Sequence, residues 1–87
     1  MDERNDVQRN ELIHAVDAAL QGRWDEAHDA AQRHEGVAEA DWLHAVLHKI
    51  EGDAGNSRYW YGRTRHGYDD FSDGNIELLA IRAALTG

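Results

Sequence analysis

The 87-residue chain contains no proline, and its glycines separate segments in which apolar residues recur with helical spacing. Glycine directly after such a segment is a common way for a helix to end. The glycines in this position are Gly22, Gly36, Gly52, Gly67 and Gly87. No segment alternates apolar and polar residues for long enough to predict a strand. The sequence therefore predicts an all-α protein.

The apolar spacing predicts about five helices in a single domain over residues 1–87. Their expected ranges are about 6–21, 24–34, 38–51, 56–64 and 74–85. The third has the widest apolar face, so we expect it to be the central helix. A chain of this length has a thin core, because it buries only about 60–65% of the surface that its unfolded form exposes. Support from a second subunit would therefore be unsurprising.

Composition argues against several classes of function. Acidic residues outnumber Lys and Arg by 17 to 9, and the net charge of −8 argues against a nucleic-acid partner, because such binding relies on basic residues. The absence of cysteine excludes disulfides and thiolate metal sites. The first residues lack the basic and apolar regions of a signal peptide, and no apolar run approaches the roughly 20 residues of a membrane span. We expect a soluble cytoplasmic protein.

Two turn-and-helix segments, residues 22–32 and 52–62, align with each other at an offset of 30 residues. The aligned pairs are Gly22 with Gly52, Ala27 with Ser57, and Ala31 with Tyr61. A glycine that ends one helix, followed by a small residue where the next helix crosses closely, is typical of repeated α-hairpins. We therefore expect two repeat-like α-hairpins and a C-terminal helix that caps them or forms a dimer.

The second of these segments resembles the tetratricopeptide and Sel1-like class of helical repeats. In that class the second helix often carries a small residue, an aromatic residue four positions on and another small residue three further, the order of Ser57, Tyr61 and Thr64. The offset of 30 residues differs from the tetratricopeptide period of about 34. The resemblance implies that the helices pack as hairpins.

Residues 22–66 also resemble short bacterial proteins built around a LHxxEGDxxNxxYWYRRAG-type segment. The residues that carry this resemblance are Trp42, Leu43, His44, Ala45, His48, Glu51, Gly52, Asp53, Asn56, Tyr59, Trp60 and Tyr61. Gly62 and Thr64 depart from the segment. The resemblance implies membership of a discrete helical family and implies no substrate or activity.

Three consecutive aromatic residues, Tyr59, Trp60 and Tyr61, cannot all face one core. On a helix, Trp60 and Tyr61 share the face that is expected to enter the core, whereas Tyr59 points nearly the opposite way. Tyr59 and Arg63 therefore form either a surface cation–π pair or part of a contact surface, where both residue types are enriched. Arg63 also belongs to a local basic patch with Arg58 and Arg65. The patch either complements a helix C-terminus or receives an anionic ligand or acidic partner.

The fifth helix carries apolar residues on two opposite sides. One side has Ile76, Leu79, Ala80 and Ala83, and the other has Leu78, Ile81 and Leu85. Either the protein covers both sides itself or the second side is a subunit interface. In the second case, Leu78, Ile81 and Leu85 are the expected interface residues.

The histidines are the best candidates for chemistry. His44 and His48 lie four residues apart, so a helix places both on one side, with Glu51 a turn further along. This spacing can hold zinc or another divalent transition metal, and His28 is a candidate third ligand or general base. Ala45 stands where HExxH proteases carry glutamate. The alternative for His28 is a buried histidine satisfied by a backbone carbonyl or a carboxylate.

Other chemistry has little support in the sequence. The chain has no cysteine and two serines, neither of which follows a strand as in a nucleophile elbow. No glycine-rich loop follows a strand to hold a phosphate group. The remaining histidines, His14, His34 and His66, are expected to be exposed and without a role.

Two functional hypotheses follow. The leading one is a non-catalytic protein–protein interaction or scaffold module, homodimeric and without a cofactor. Its expected contact residues are Tyr59, Trp60, Arg63, Leu78, Ile81 and Leu85. The alternative is a metal- or small-ligand-binding protein, with a hydrolase as one form of it, that uses a divalent transition metal. Its expected site is a pocket beside Trp42, Trp60 or Tyr61 that contains His28, His44, His48 and Glu51.

Overall fold

The computed structural model of the protein describes residues 3–87, with side-chain environments from residue 6 onward. The helices are α1 (Glu3–Leu20), α2 (Trp24–Arg33), α3 (Ala38–Glu51), α4 (Ala54–Tyr61) and α5 (Gly74–Thr86). The described residues contain no strand. The prediction of an all-α fold with about five helices is confirmed.

Helix α4 lies earlier in the chain than the expected range of 56–64. The helix begins after Asp53 because this side chain accepts a hydrogen bond from the Asn56 N–H at 3.2 Å, which satisfies a free donor of the first turn. At the other end, Thr64 donates to the Tyr61 carbonyl oxygen through its N–H at 2.9 Å and its hydroxyl at 2.8 Å. These two bonds close a tight turn where a further helical turn was expected.

Helix α3 is the centre of the molecule, as its wide apolar face indicates. It packs against α2, α4 and α5, while α1 packs mainly against α2 and α5. Every residue from Ala40 to His48 is buried. Because α3 is surrounded, polar side chains on it must find partners within the protein.

The two aligned segments occupy matching environments. Gly22 and Gly52 both adopt positive φ angles, 81° and 90°, that favour glycine at a helix end. Ala27 and Ser57 are both fully buried, and the Ser57 hydroxyl donates to the Ala45 carbonyl oxygen at 2.7 Å. These environments fit two similar hairpins, α1–α2 and α3–α4, and assignment to a repeat family stays a prediction.

The expectation that Leu78, Ile81 and Leu85 form the outer side of α5 is wrong. Leu78 and Ile81 are 0% exposed and Leu85 is 7% exposed, because this side of the helix packs into the core. The opposite side carries Ile76 and Leu79, which are 57% and 55% exposed. Periodicity identified two apolar sides correctly, but the choice between them depends on the rotation of α5 against α1 and α3.

A buried carboxylate joins α5 to α3 and α4. Glu77 is 0% exposed and accepts hydrogen bonds from Trp42 Nε1 at 2.8 Å, the Tyr61 hydroxyl at 2.7 Å and Lys49 Nζ at 2.6 Å. Lys49 Nζ also donates to two backbone carbonyls between α4 and α5, at 3.0 and 3.1 Å. Burial, followed by the bond to Glu77, raises the pKa of Tyr61 far above its ordinary value. This network holds the α4–α5 connection against α3.

None of the helices within residues 3–87 combines the length and apolar character needed to cross a bilayer.

Candidate metal centre

Three histidines from two adjacent helices meet between α2 and α3. His44 and His48 are one turn apart on α3, and His28 lies on α2. Because residues four apart share one side of a helix, α3 directs both of its histidines toward α2. The sequence predicted this side of α3 and named His28 as a candidate third ligand, and the packing of α2 on α3 brings His28 against His44. We call these three residues the histidine cluster.

The cluster is joined through its Nε2 atoms. Nε2 of His44 lies 3.1 Å from Nε2 of His28 and 3.1 Å from Nε2 of His48. One potential ligand atom from each histidine falls in a group whose members are all within 4.8 Å of one another. His44 and His48 are 3% and 7% exposed, and His28 is half-buried. Three imidazole nitrogens that could act as ligands therefore converge in a largely buried site.

Two tryptophans form walls beside the cluster. The Trp24 ring stacks on His28 with centroids 4.6 Å apart, and the Trp60 ring stacks on His44 with centroids 3.9 Å apart. Trp24 is anchored by its Nε1, which donates to the Leu47 carbonyl oxygen at 2.8 Å. The imidazole rings are thus held in fixed orientations by packing.

Glu51 contacts the cluster from outside. Its Oε1 lies 2.5 Å from Nδ1 of His48, on the ring nitrogen opposite the one that faces His44. Glu51 was expected to converge with the histidines as a further ligand. It lies instead outside the cluster, on the far side of the His48 ring. Asp53 lies nearby, within a second group with His48 and Glu51, and both of these carboxylates are exposed.

Burial keeps two of the three histidines, His28 and His44, uncharged. Desolvation, followed by the neighbouring His28 and His48, lowers the pKa of His44 from 6.5 to about 4. Desolvation, followed by His48, also lowers the pKa of His28. At neutral pH both rings are therefore uncharged, and each has one nitrogen with a free lone pair.

One atom of the cluster has no hydrogen-bond partner. Nδ1 of His44 is buried and unpaired. Buried polar atoms in proteins are seldom left in this condition, because an unmade hydrogen bond costs about 1–3 kcal/mol. His44 is therefore kept on the apolar side of the central helix at an energetic cost.

The aromatic residues expected beside the histidines divide between two places. Trp60 lies against His44, as the hypothesis of a histidine site requires. Trp42 and Tyr61 are instead bonded to Glu77, which the sequence analysis missed. Glu77 precedes Ile81 by four residues and so shares its side of α5, but helical spacing does not reveal that this side is the buried one.

The expected contact surface is only partly assembled. Tyr59 is 59% exposed, and Arg63 donates to its hydroxyl at 3.5 Å while its guanidinium lies 5.2 Å from the Trp60 ring centroid. Arg58 lies elsewhere, over the Tyr68 ring at 4.4 Å. The basic patch is therefore divided by the packing of its members on different aromatic rings.

Two of the remaining histidines are less exposed than expected. His34 Nε2 lies 2.7 Å from a carboxylate oxygen of Glu11, and its side chain is 16% exposed. His66 stacks on Trp42 with ring centroids 3.6 Å apart. His14 is exposed, as expected.

A cavity of about 460 Å³ lies apart from the cluster, between the start of α3 and the segment after α4. Its lining includes Trp42, Arg63, Arg65 and His66. It shares no lining residue with the histidine cluster.

Comparisons with protein-family models, curated proteins and solved structures found no match to this chain.

Proposed function

We propose that the protein binds one divalent transition-metal ion, with zinc as the first expected ion, through Nε2 of His28, His44 and His48. The observation that carries the proposal is the convergence of these three nitrogens in a buried site.

The spacing of the nitrogens suits a tetrahedral ion. With zinc–nitrogen bonds of about 2.0–2.1 Å, two nitrogens of a tetrahedral site lie about 3.3–3.4 Å apart. Two of the three separations, those from His44 to His28 and to His48, are 3.1 Å, a few tenths of an ångström below this value. All three ligand atoms lie within 4.8 Å of one another, so small movements of the rings would bring them to a common ion.

Hydrogen bonding alone explains the cluster poorly. Each neutral imidazole has one N–H, and a nitrogen that bears hydrogen cannot also accept. Nε2 of His44 has two Nε2 neighbours at 3.1 Å, so a single hydrogen or a single lone pair must serve both contacts. A cation at the centre uses a lone pair from every ring and removes this conflict.

The donor set also limits the ion. Imidazole nitrogens suit zinc, copper, nickel and iron, whereas magnesium and calcium prefer oxygen ligands. Three protein ligands leave the fourth position of a tetrahedral ion for solvent or another exchangeable ligand, as in catalytic zinc sites. The proposal is therefore for a metal-binding protein with an open coordination position, and it assigns no reaction.

The test is the metal content of untagged protein purified without chelators. We expect one zinc per chain by native mass spectrometry, or one equivalent bound when zinc is added to stripped protein. His28→Ala and His44→Ala should lose this binding, whereas His14→Ala, at an exposed histidine, should retain it. The proposal would be refuted if the folded protein bound no metal when zinc was added at micromolar concentration.

A second candidate function is a protein contact surface around Tyr59 and Arg63. It is favoured by the exposure of Tyr59, which is 59%, and by its edge-on packing against Trp60 at 5.3 Å. A fixed aromatic ring beside an arginine suits protein recognition. The leading interaction hypothesis thus keeps this patch and loses Leu78, Ile81 and Leu85. It is tested by Tyr59→Ala, which should weaken any self-association seen by analytical ultracentrifugation.

A further inference from the structure

We propose that Glu51 is the outer positioning residue of the histidine cluster, and that its hydrogen bond keeps Nε2 of His48 free to bind the ion. This inference rests on the proposed metal-binding function. It assigns to Glu51 a role through His48 rather than a bond to the metal.

Glu51 contacts His48 on the ring nitrogen that faces away from the cluster. Oε1 of Glu51 lies 2.5 Å from Nδ1 of His48, and the side chains are 38% and 9% exposed. An ionised carboxylate only accepts hydrogen bonds, so the ring hydrogen of His48 must be on Nδ1. In the neutral tautomer with its hydrogen on Nδ1, Nε2 of His48 carries a lone pair that faces the cluster, and this is the form that a metal ion binds.

The hydrogen on Nδ1 of His48 also determines where His44 carries its own hydrogen. If Nε2 of His48 accepts, the 3.1 Å contact with His44 requires a hydrogen on Nε2 of His44. Nδ1 of His44 then carries none, which agrees with its lack of any acceptor. Nε2 of His28 lies 3.1 Å from Nε2 of His44 and accepts from the same hydrogen through its own lone pair.

The metal-free cluster is therefore close to the metal-bound arrangement. Nε2 of His28 and Nε2 of His48 already present lone pairs to the centre of the cluster. For the ion to bind all three rings, only the hydrogen of His44 must move from Nε2 to Nδ1. Without Glu51, the hydrogen of His48 could occupy Nε2 and donate to His44, which would remove a ligand from the site. Carboxylates that orient metal-bound histidines in this way typically contribute 10–100-fold in metal affinity, on the order of 1–3 kcal/mol.

Asp53 provides a matched control. It is an exposed carboxylate close to His48, but it caps α4 by accepting from the Asn56 N–H at 3.2 Å and the Asn56 side-chain amide at 2.9 Å. Asp53→Asn removes one negative charge near the cluster and retains a residue that caps helices well. Any effect specific to Glu51→Ala is then due to its bond with His48 and not to local charge.

The experiment has two readouts. In stripped protein, long-range ¹H–¹⁵N NMR correlations report which ring nitrogen of His48 bears the hydrogen. We expect Nδ1–H in the parent protein and in Asp53→Asn, and a large shift toward Nε2–H in Glu51→Ala. Zinc affinity, measured by competition with a chelating dye, should fall about 10–100-fold in Glu51→Ala. It should fall less in Glu51→Gln, whose amide oxygen can still accept, and stay nearly constant in Asp53→Asn.

The outcomes separate the two proposals. Failure of the parent protein to bind zinc would overturn the proposed function together with this inference. Zinc binding by the parent protein with equal affinity in Glu51→Ala would overturn the role of Glu51 alone. A hydrogen on Nε2 of His48 in the parent protein would also overturn it. Circular dichroism checks that each variant is folded, which we expect because Glu51 lies at the exposed end of α3.

Discussion

At the scale of single residues, His44 contributes most to the candidate site. It is 3% exposed on the central helix, and its ring stacks on Trp60 while its Nε2 meets two other histidines. An apolar side chain there would avoid an unpaired buried nitrogen. Stability therefore does not explain a histidine at this position, and the proposed metal site gives it a role.

The low pKa of His44 predicts acid sensitivity of the metal-free protein. In the unfolded chain the pKa of this histidine is near 6.5, and in the folded protein it is about 4. Between these values the unfolded state binds more protons, so the free energy of unfolding falls as the pH is lowered, by up to about 3 kcal/mol. Urea unfolding from pH 7 to pH 4 with a chelator present measures this loss.

The contribution of His44 is isolated by His44→Phe, which keeps an aromatic ring against Trp60. We expect the variant to lose markedly less stability between pH 6.5 and 4 than the parent protein. His14→Phe, at an exposed histidine, should retain the parental pH dependence. Equal pH dependence in all three proteins would show that other groups cause the acid sensitivity.

At the scale of elements, the ends of α3 and α4 position the site. Gly52 ends α3 with a φ of 90°, and its neighbour Glu51 contacts His48 from the last turn. Asp53 then begins α4, which brings Trp60 against His44. A short turn of defined conformation thus determines where two residues of the site lie.

This turn predicts opposite effects for the same substitution at two glycines. Gly52→Ala should lower the free energy of unfolding by about 1 kcal/mol, because its positive φ disfavours any side chain although space is free around it. Gly55→Ala should raise it by about 0.5–1 kcal/mol, because this residue is within α4 and meets only Asp53 Oδ1 at 3.9 Å. Urea unfolding of metal-free protein measures the free energy of unfolding of both variants. Changes of the same sign in the two variants would contradict the prediction.

At the scale of the whole molecule, α5 completes the core. Its inner side packs against α1 and α3, and Glu77 on that side accepts from residues of α3 and α4. The outer side leaves Ile76 and Leu79 more than half exposed. The protein therefore covers one of the two apolar sides of α5 by itself.

Two adjacent leucines test this orientation. Leu78→Glu should prevent folding at every concentration, because it buries an unpaired charge at a site that is 0% exposed and the total stability of a small domain is about 5–15 kcal/mol. Leu79→Glu should leave the fold intact, because Leu79 is 55% exposed. Circular dichroism and light scattering over a range of concentrations measure both. A folded, monomeric Leu78→Glu variant would restore Leu78 as an interface residue.

Much of the fold could be predicted because its signals are local. Helical spacing identified the five helices, and glycine identified the ends at Gly22 and Gly52. The same spacing placed His44 and His48 on one side of α3. The limits of α4 were less accurate, because they depend on side-chain bonds of Asp53 and Thr64 that apolar spacing does not reveal.

The sequence by itself determined which residues form helices and which of them share a side, because both follow from the 3.6-residue turn of a single helix. The tertiary structure alone decided that His28 joins the α3 histidines and that Glu51 stays outside them. It also decided that Leu78 points inward. These features depend on how each helix is rotated and seated against its neighbours, and that arrangement minimises the free energy of the whole core rather than of any one segment.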